Sequence, residues 1–265
     1  MFYTLYHEIL YRPLFNALVY LYNVVPGHDI GLAIIFLTVL IKVVLLPLGH
    51  SAMKSQKALQ DLQPKVDELK ARFKDNKEEL AKETMILYKA NKVNPLSSCL
   101  PILIQLPILI AVYRVFQHGL ASTDFEALYS FVVNPGKMNT LSLGFIDMAK
   151  ASWGLAILAG AAQYVQTKML MTKPAQKVAG AKDENMLASM NMSMQYFMPM
   201  LTVVIGMSLP AGLTFYWFLT TILTAFQQIF VFKTKINFLG KKNKAAVIVI
   251  DKPVEPVAKP EVIVK

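Results

Sequence analysis

The chain has 265 residues, 55% of them hydrophobic, a net charge of +10 and only 17% charged side chains, against about 25% in soluble domains. With a mean hydropathy of +0.43, this composition excludes an ordinary soluble domain and points to an integral membrane protein. The basic balance suits anionic lipid, nucleic acid or acidic peptide as partners without choosing among them.

One cysteine, Cys99, excludes an internal disulfide framework and a cysteine-rich metal site, and His7, His28, His50 and His118 show no metal-ligand spacing. No metal and no cofactor is expected. An enzyme is disfavoured too, because no nucleophile is paired with a base.

Residues 1–28 place Phe2, Tyr6, Ile9, Leu10, Leu14, Leu18 and Leu21 on an approximate helical face, interrupted by His7, Glu8, Arg12 and Asn16. This predicts an amphipathic helix in the interface, its tyrosines at headgroup depth. The apolar run over 30–48 is long enough to span and carries Lys42 toward its C-terminal end. A lysine in hydrocarbon costs roughly 2.5–3.5 kcal/mol on insertion scales, so something must offset it.

From 50 to 94 the composition turns charged. Leu59, Leu62, Val66, Leu69 and Phe73 alternate by three and four, and Lys74–Lys77 is a polar turn, which predicts a cytoplasmic antiparallel helical hairpin. Its charges read equally as a solvated face or a docking surface. A second span over 96–116 contains Pro101, Pro107 and Gln105, which implies a kinked helix with a polar face. Residues 117–150 read as an outer loop with at most a short interfacial helix.

The third span, 152–171, is dense in glycine and alanine, the composition of closely packed membrane helices. Spans at 195–209 and 213–232 follow, the former short for a bilayer. The tail, 233–265, carries Lys235, Lys241, Lys242 and Lys244 and is broken by Pro253, Pro256 and Pro260, so disorder is expected.

The fold class expected is all-α and polytopic: an interfacial helix over 1–28, a five-transmembrane-helix core over 29–232 with the hairpin inserted, and a basic tail. Lysines and arginines cluster in the hairpin, the loop after the third span and the tail. The positive-inside rule then puts the N-terminus outside and the C-terminus in the cytoplasm. Lys42 falls in the inner leaflet, where it either snorkels to the interface or faces a water-filled cavity.

Three segments carry a resemblance: TVLIKVVLLPL before the charged hairpin, LYKANKVNPLSSCLPILIQLPILIAVYRVF, and MQYFMPMLTVVIGMSLPAGLTFYWFLTTILTAFQQ. In this order they resemble the YidC/Oxa1/Alb3 family of membrane protein insertases, over about Tyr3 to Phe232. The resemblance implies an insertase and folding chaperone with a hydrophilic groove in the inner leaflet of a bacterial plasma membrane. It implies nascent membrane proteins as substrates and the ribosome and Sec translocon as partners. Anionic lipids are further expected partners, and ribosomal RNA could meet the lysine-rich tail.

Lys42 stands where the family carries an arginine, which keeps the charge and loses the planar fork. The groove positions map onto Thr38, Gln195 and Trp217, with Gln105 and Tyr216 beside them. Gram-positive relatives often carry a lipoprotein signal and Gram-negative ones an extra N-terminal span. This sequence shows neither, so a minimal or trimmed member is expected. A transporter or channel with a charged intramembrane cavity is the alternative, though no internal repeat supports it.

Overall fold

A computed structural model describes residues 2–73, 76–94, 100–121, 125–170 and 193–238. Residues 74–75 of the expected polar turn Lys74–Lys77, the loop at 171–192 and the tail from 239 lie outside the described residues. The chain opens with α1 (Phe2–Tyr6), a π-helical turn (His7–Tyr11) and α2 (Arg12–Val24). Then come α3 (Ile30–Val44), α4 (Leu46–Arg72), α5 (Lys77–Ala90) and α6 (Leu100–Ala121). A hairpin of β1 (Leu141–Ser142) and β2 (Ile146–Asp147) precedes α7 (Trp153–Leu170). A π-helical turn (Ser193–Phe197) leads into α8 (Met198–Gly206), and α9 (Ala211–Phe238) follows.

The N-terminal helix is more than an interfacial strap. Phe15, Leu18 and Val19 are fully buried and Tyr22 nearly so, in one core with Ile34 and Leu37 of α3 and Val112 and Phe116 of α6. Of the polar interruptions, Glu8 is exposed, His7 and Arg12 are half-buried and Asn16 is buried, while Leu5, Ile9, Tyr20 and Val24 face outward.

Asp29 caps α3 by accepting the Leu32 N–H at 3.0 Å, satisfying one orphan donor of the first turn. The expected span over 30–48 does not run straight. After Leu45 the axis turns by 66° into α4, and the cause is local. Pro47 has no N–H for the Val43 carbonyl, and its ring would crowd that carbonyl in a continuous helix. The helix therefore stops and restarts with the proline in its first turn, where a missing donor costs nothing. Gly49 lies inside α4.

The charged hairpin forms as α4 packed on α5, with Leu62 and Val66 of the expected seam buried. Asn76 caps α5, its side-chain oxygen accepting the Glu79 N–H at 3.2 Å and its side-chain amide donating to the Glu79 carboxylate at 2.8 Å.

Helix α6 continues five residues past the expected end at 116, and α9 runs six residues past 232 into what was expected to be tail. Residues 117–150, expected to be an outer loop with at most a short interfacial helix, include a β-hairpin. Gly31 explains its close seat: a Cβ there would lie 2.0 Å from Ser142 Oγ, so only glycine lets the hairpin rest on α3.

Asp29 clamps the hairpin by accepting from the Ser142 hydroxyl at 2.8 Å and the Leu143 N–H at 2.6 Å. Buried Asn16 holds the earlier part of the loop, donating to the Ala127 carbonyl and accepting the Tyr129 N–H. The loop ends against α9, where the Met148 and Lys150 carbonyls accept the Gly212 and Ala211 N–H groups, both at 2.8 Å.

The small-residue stripe of α7 is a packing surface. Ala156, Ala159 and Gly160 are buried, and a Cβ on Gly160 would stand 2.3 Å from Val203 of α8. Around the bundle the helices turn large apolar side chains outward, including Phe36 and Val43 of α3, Leu106 of α6, Met200 of α8 and Phe230 of α9. An apolar exterior at this density requires lipid rather than water.

The protein is thus a helical membrane protein. Two described helices, over Leu103–Leu120 and Ala211–Val231, are long and apolar enough to span by themselves, and the bent α3–α4 pair has the composition of a broken span or a re-entrant loop.

Candidate functional site

The polar groups converge on α9. Its sequence puts Tyr216, Thr220, Thr224 and Gln228 at intervals of four, one face of a helix, and all but half-buried Thr224 are buried. This face meets α3, α4 and α6. Lys42 Nζ reaches across from α3 and donates to Thr224 Oγ1 at 2.6 Å, and that hydroxyl donates to the Thr220 carbonyl at 2.5 Å. Two turns nearer the N-terminus of α9, Gln105 Nε2 donates to the Tyr216 hydroxyl at 3.1 Å.

The seam is incompletely satisfied toward the α4 end. Gln227 Nε2 and Gln228 Oε1 are buried with no hydrogen-bond partner among the described residues, and the Gln227 side chain lies against Gly49. Leaving such groups unpaired costs about 1–3 kcal/mol each. They therefore create demand for water or an incoming polar group beside Lys42.

The electrostatics are one-sided. No Asp or Glu occurs in Ile30–Leu48, Leu96–Ala121, Trp153–Leu170 or Ser193–Phe238. Lys42 is held by a hydroxyl, and among the described residues no carboxylate pairs with it.

The expected groove residues divide accordingly. Lys42, Gln105 and Tyr216 belong to the seam. Trp217 is half-buried and lies seven residues before Thr224, which is two turns and therefore the same face. Thr38 does not line open space: it is fully buried and its hydroxyl donates to the Ile34 carbonyl at 2.6 Å. Gln195 sits in the π-helical turn that packs on α7. Thr224, Thr220, Gln227 and Gln228 were missed by the sequence reading, although their spacing within an apolar helix was the available signal.

Comparison with known proteins now decides the family. Residues 20–238 match the family described as 60Kd inner membrane protein. The chain belongs to that family.

Relatives called "Membrane protein insertase YidC" include one from Fusobacterium nucleatum subsp. nucleatum, 32% identical over 226 residues that cover 84% of this chain and 97% of the relative. One from Geobacter sp. (strain M21) is 30% identical over 232 residues, covering 84% and 37% respectively. One from Syntrophus aciditrophicus is 34% identical over 230 residues, covering 83% and 36%. The chain thus spans nearly all of the first relative and little more than a third of the other two. Within the 60Kd inner membrane protein family match lie both ends of the seam, Lys42 and Gln228 included.

Proposed function

We propose that this protein is a membrane protein insertase and folding chaperone, in which the seam between α3, α6 and α9 receives the polar flank of a nascent membrane segment. The observation that carries the reading is Lys42, a cation held on the Thr224 hydroxyl among the apolar helices α3, α6 and α9, which contain no Asp or Glu.

The physics requires no bond chemistry. Dragging charged and backbone groups across hydrocarbon is costly because they lose water, and a polar path through part of the bilayer shortens the dry distance. Lys42 attracts an acidic tail of the substrate, while Gln227, Gln228 and the Tyr216–Gln105 pair offer replacement hydrogen bonds. The apolar segment leaves sideways, past the outward apolar faces of α6 and α8.

In this reading the N-terminus is outside, the C-terminus is cytoplasmic, and α3, α6, α7, α8 and α9 are the five spans of a bacterial plasma-membrane protein. Nascent membrane proteins are the substrates. The α4–α5 hairpin and the basic tail face the ribosome, the Sec translocon and anionic lipid.

The test is insertion of a small single-span protein with an acidic tail into vesicles containing each variant. Lys42→Ala loses insertion and Lys42→Arg retains it; normal insertion by the alanine variant removes Lys42 from the mechanism.

A further inference from the structure

The β1–β2 hairpin has its polarity reversed. An antiparallel pair with one face on a core normally turns apolar side chains inward and polar ones to water. Here Ser142 is buried against Gly31, while Leu141, Leu143 and Phe145 are exposed, the last two by 67% and 73%. The run Met138–Ile146 contains no charged side chain, and the next charges along the chain, Asp147 and Lys150, pair with each other at 3.1 Å.

The turn is strained as well. Leu143 and Gly144 both have positive φ, 52° and 80°, and the Phe145 N–H donates to the Ser142 carbonyl at 3.2 Å, as in a type I′ hairpin turn. Glycine, asparagine and aspartate take the first of these positions readily, whereas leucine is sterically penalised there. A leucine that is both strained and open to water would be unfavourable twice over, so an apolar medium at the tip accounts for the residue chosen.

We propose that the hairpin tip is a membrane anchor, with Leu143 and Phe145 inserted at the boundary between headgroups and acyl chains, in the leaflet at the end of the bundle where α3, α7 and α9 begin. The anchor is independent of what the seam beside Lys42 receives.

The mounting of the hairpin identifies lipid as the occupant. Ser142 seats it on the first turn of α3, a helix whose Phe36 and Val43 face outward. Asp29 holds both Ser142 and Leu143, so the tip is presented rigidly. The chain that follows is bonded to the first turn of α9 through the Met148 and Lys150 carbonyls. Trp153, 74% exposed, then opens α7 and lies one turn from exposed Ile157 on the same face. The apolar tip thus stands at the rim where lipid-facing helices begin, the level at which aromatic residues gather. Its free backbone groups limit the depth to the interface, because hydrocarbon cannot satisfy them. Being neutral, the tip accepts headgroups of any charge and offers no ionic contact to orient a protein partner.

The experiment places a nitroxide at Phe145→Cys in the full chain, with Cys99→Ser removing the one native thiol, in phosphatidylcholine vesicles with and without phosphatidylglycerol. Collisions with oxygen, which concentrates in lipid, and with a nickel chelate, which stays in water, report the surroundings of the label. Labels at Leu106→Cys on the outward face of α6 and at Lys82→Cys on exposed α5 supply the lipid and water references. The oxygen-to-nickel ratio at position 145 is expected nearer the Leu106 value than the Lys82 value, and unchanged by phosphatidylglycerol.

A ratio equal to that at Lys82 overturns the proposal. So does a label shielded from both reagents or broadened by a second label, which assigns the tip to a protein partner or another copy of the chain. A ratio that reaches the lipid range only with phosphatidylglycerol assigns it to charge recognition and overturns it too. Leu143→Asn gives a second reading, because asparagine relieves the left-handed strain and at a tip in water raises the folding equilibrium in bicelles about fivefold. No gain, or a loss, is expected for a tip in lipid, and a fivefold gain overturns the proposal.

Discussion

Replacing Thr224 with valine keeps the shape of the side chain but removes the hydroxyl that accepts from Lys42 at 2.6 Å and donates to the Thr220 carbonyl at 2.5 Å. Hydrogen bonds to charged groups contribute about 1.5–3 kcal/mol in soluble proteins, whereas interhelical couplings in membranes average about 0.6 and reach about 1.7 kcal/mol. The membrane range applies because the unfolded helices still find partners in lipid. The apolar helices α3, α6 and α9 offer Lys42 no Asp or Glu, so the loss falls near the top of that range. The expected destabilisation is about 1.5 kcal/mol, roughly tenfold in the unfolding equilibrium.

Reversible unfolding in mixed micelles by detergent titration measures it, and a double-mutant cycle with Lys42→Met isolates the pair. Thr224→Ser keeps most of the stability. A Thr224→Val variant within about 0.3 kcal/mol of the parent, with no coupling to Lys42→Met, refutes the reasoning, since additive sites agree within roughly that margin.

Three further outcomes are expected. Gly160→Ala brings a Cβ to 2.3 Å from Val203 and 3.0 Å from the Pro199 carbonyl oxygen, so overpacking costs about 1–3 kcal/mol in the same titration; a parent-like midpoint argues against the close approach of α7 and α8. Phe15→Ala costs about 3–5 kcal/mol because the ring is fully buried, whereas a loss under about 1 kcal/mol returns the N-terminal helix to a loosely attached strap. Burial raises the Asp29 pKa, but the Leu143 N–H, the Ser142 hydroxyl and the Leu32 and Gly31 N–H groups outweigh it and hold the carboxyl below its ordinary 3.8. Stabilisation from a depressed carboxylate is present above the unfolded value and lost as pH falls through the folded one. Asp29→Asn should flatten the acid limb of a thermal-stability profile below about pH 4, and unchanged limbs count against the clamp.

Much of the bundle was legible because bilayer physics leaves few solutions for an apolar run. Ile30 onward, Leu100 onward, Trp153 onward and Ala211 onward all begin helices near the positions their hydropathy indicates. The bend at Leu45 was signalled by Pro47, yet hydropathy continues through Leu48 and hides the break. The β-hairpin was illegible because it rests on one long-range fact, the fit of Ser142 onto Gly31, and local propensity carries no trace of a contact across more than a hundred residues.

For the site, Lys42 was conspicuous as a charge without a partner. Thr224 was not, since threonines in membrane helices usually satisfy themselves on the preceding turn, as Thr38 does here. Only the approach of α3 to α9 distinguishes the two.

The central claim is that Lys42 and the α9 seam receive an acidic segment of another chain. A photoreactive aromatic residue in place of Trp217, half-buried on the Thr224 face, tests it while leaving Lys42 in place, using ribosome-stalled nascent chains with acidic or neutral tails. The account predicts crosslinks to the tail that are strong when it is acidic, weak when it is neutral, and lost when Lys42→Ala is added. Crosslinks that depend neither on the charge of the tail nor on Lys42 would contradict it.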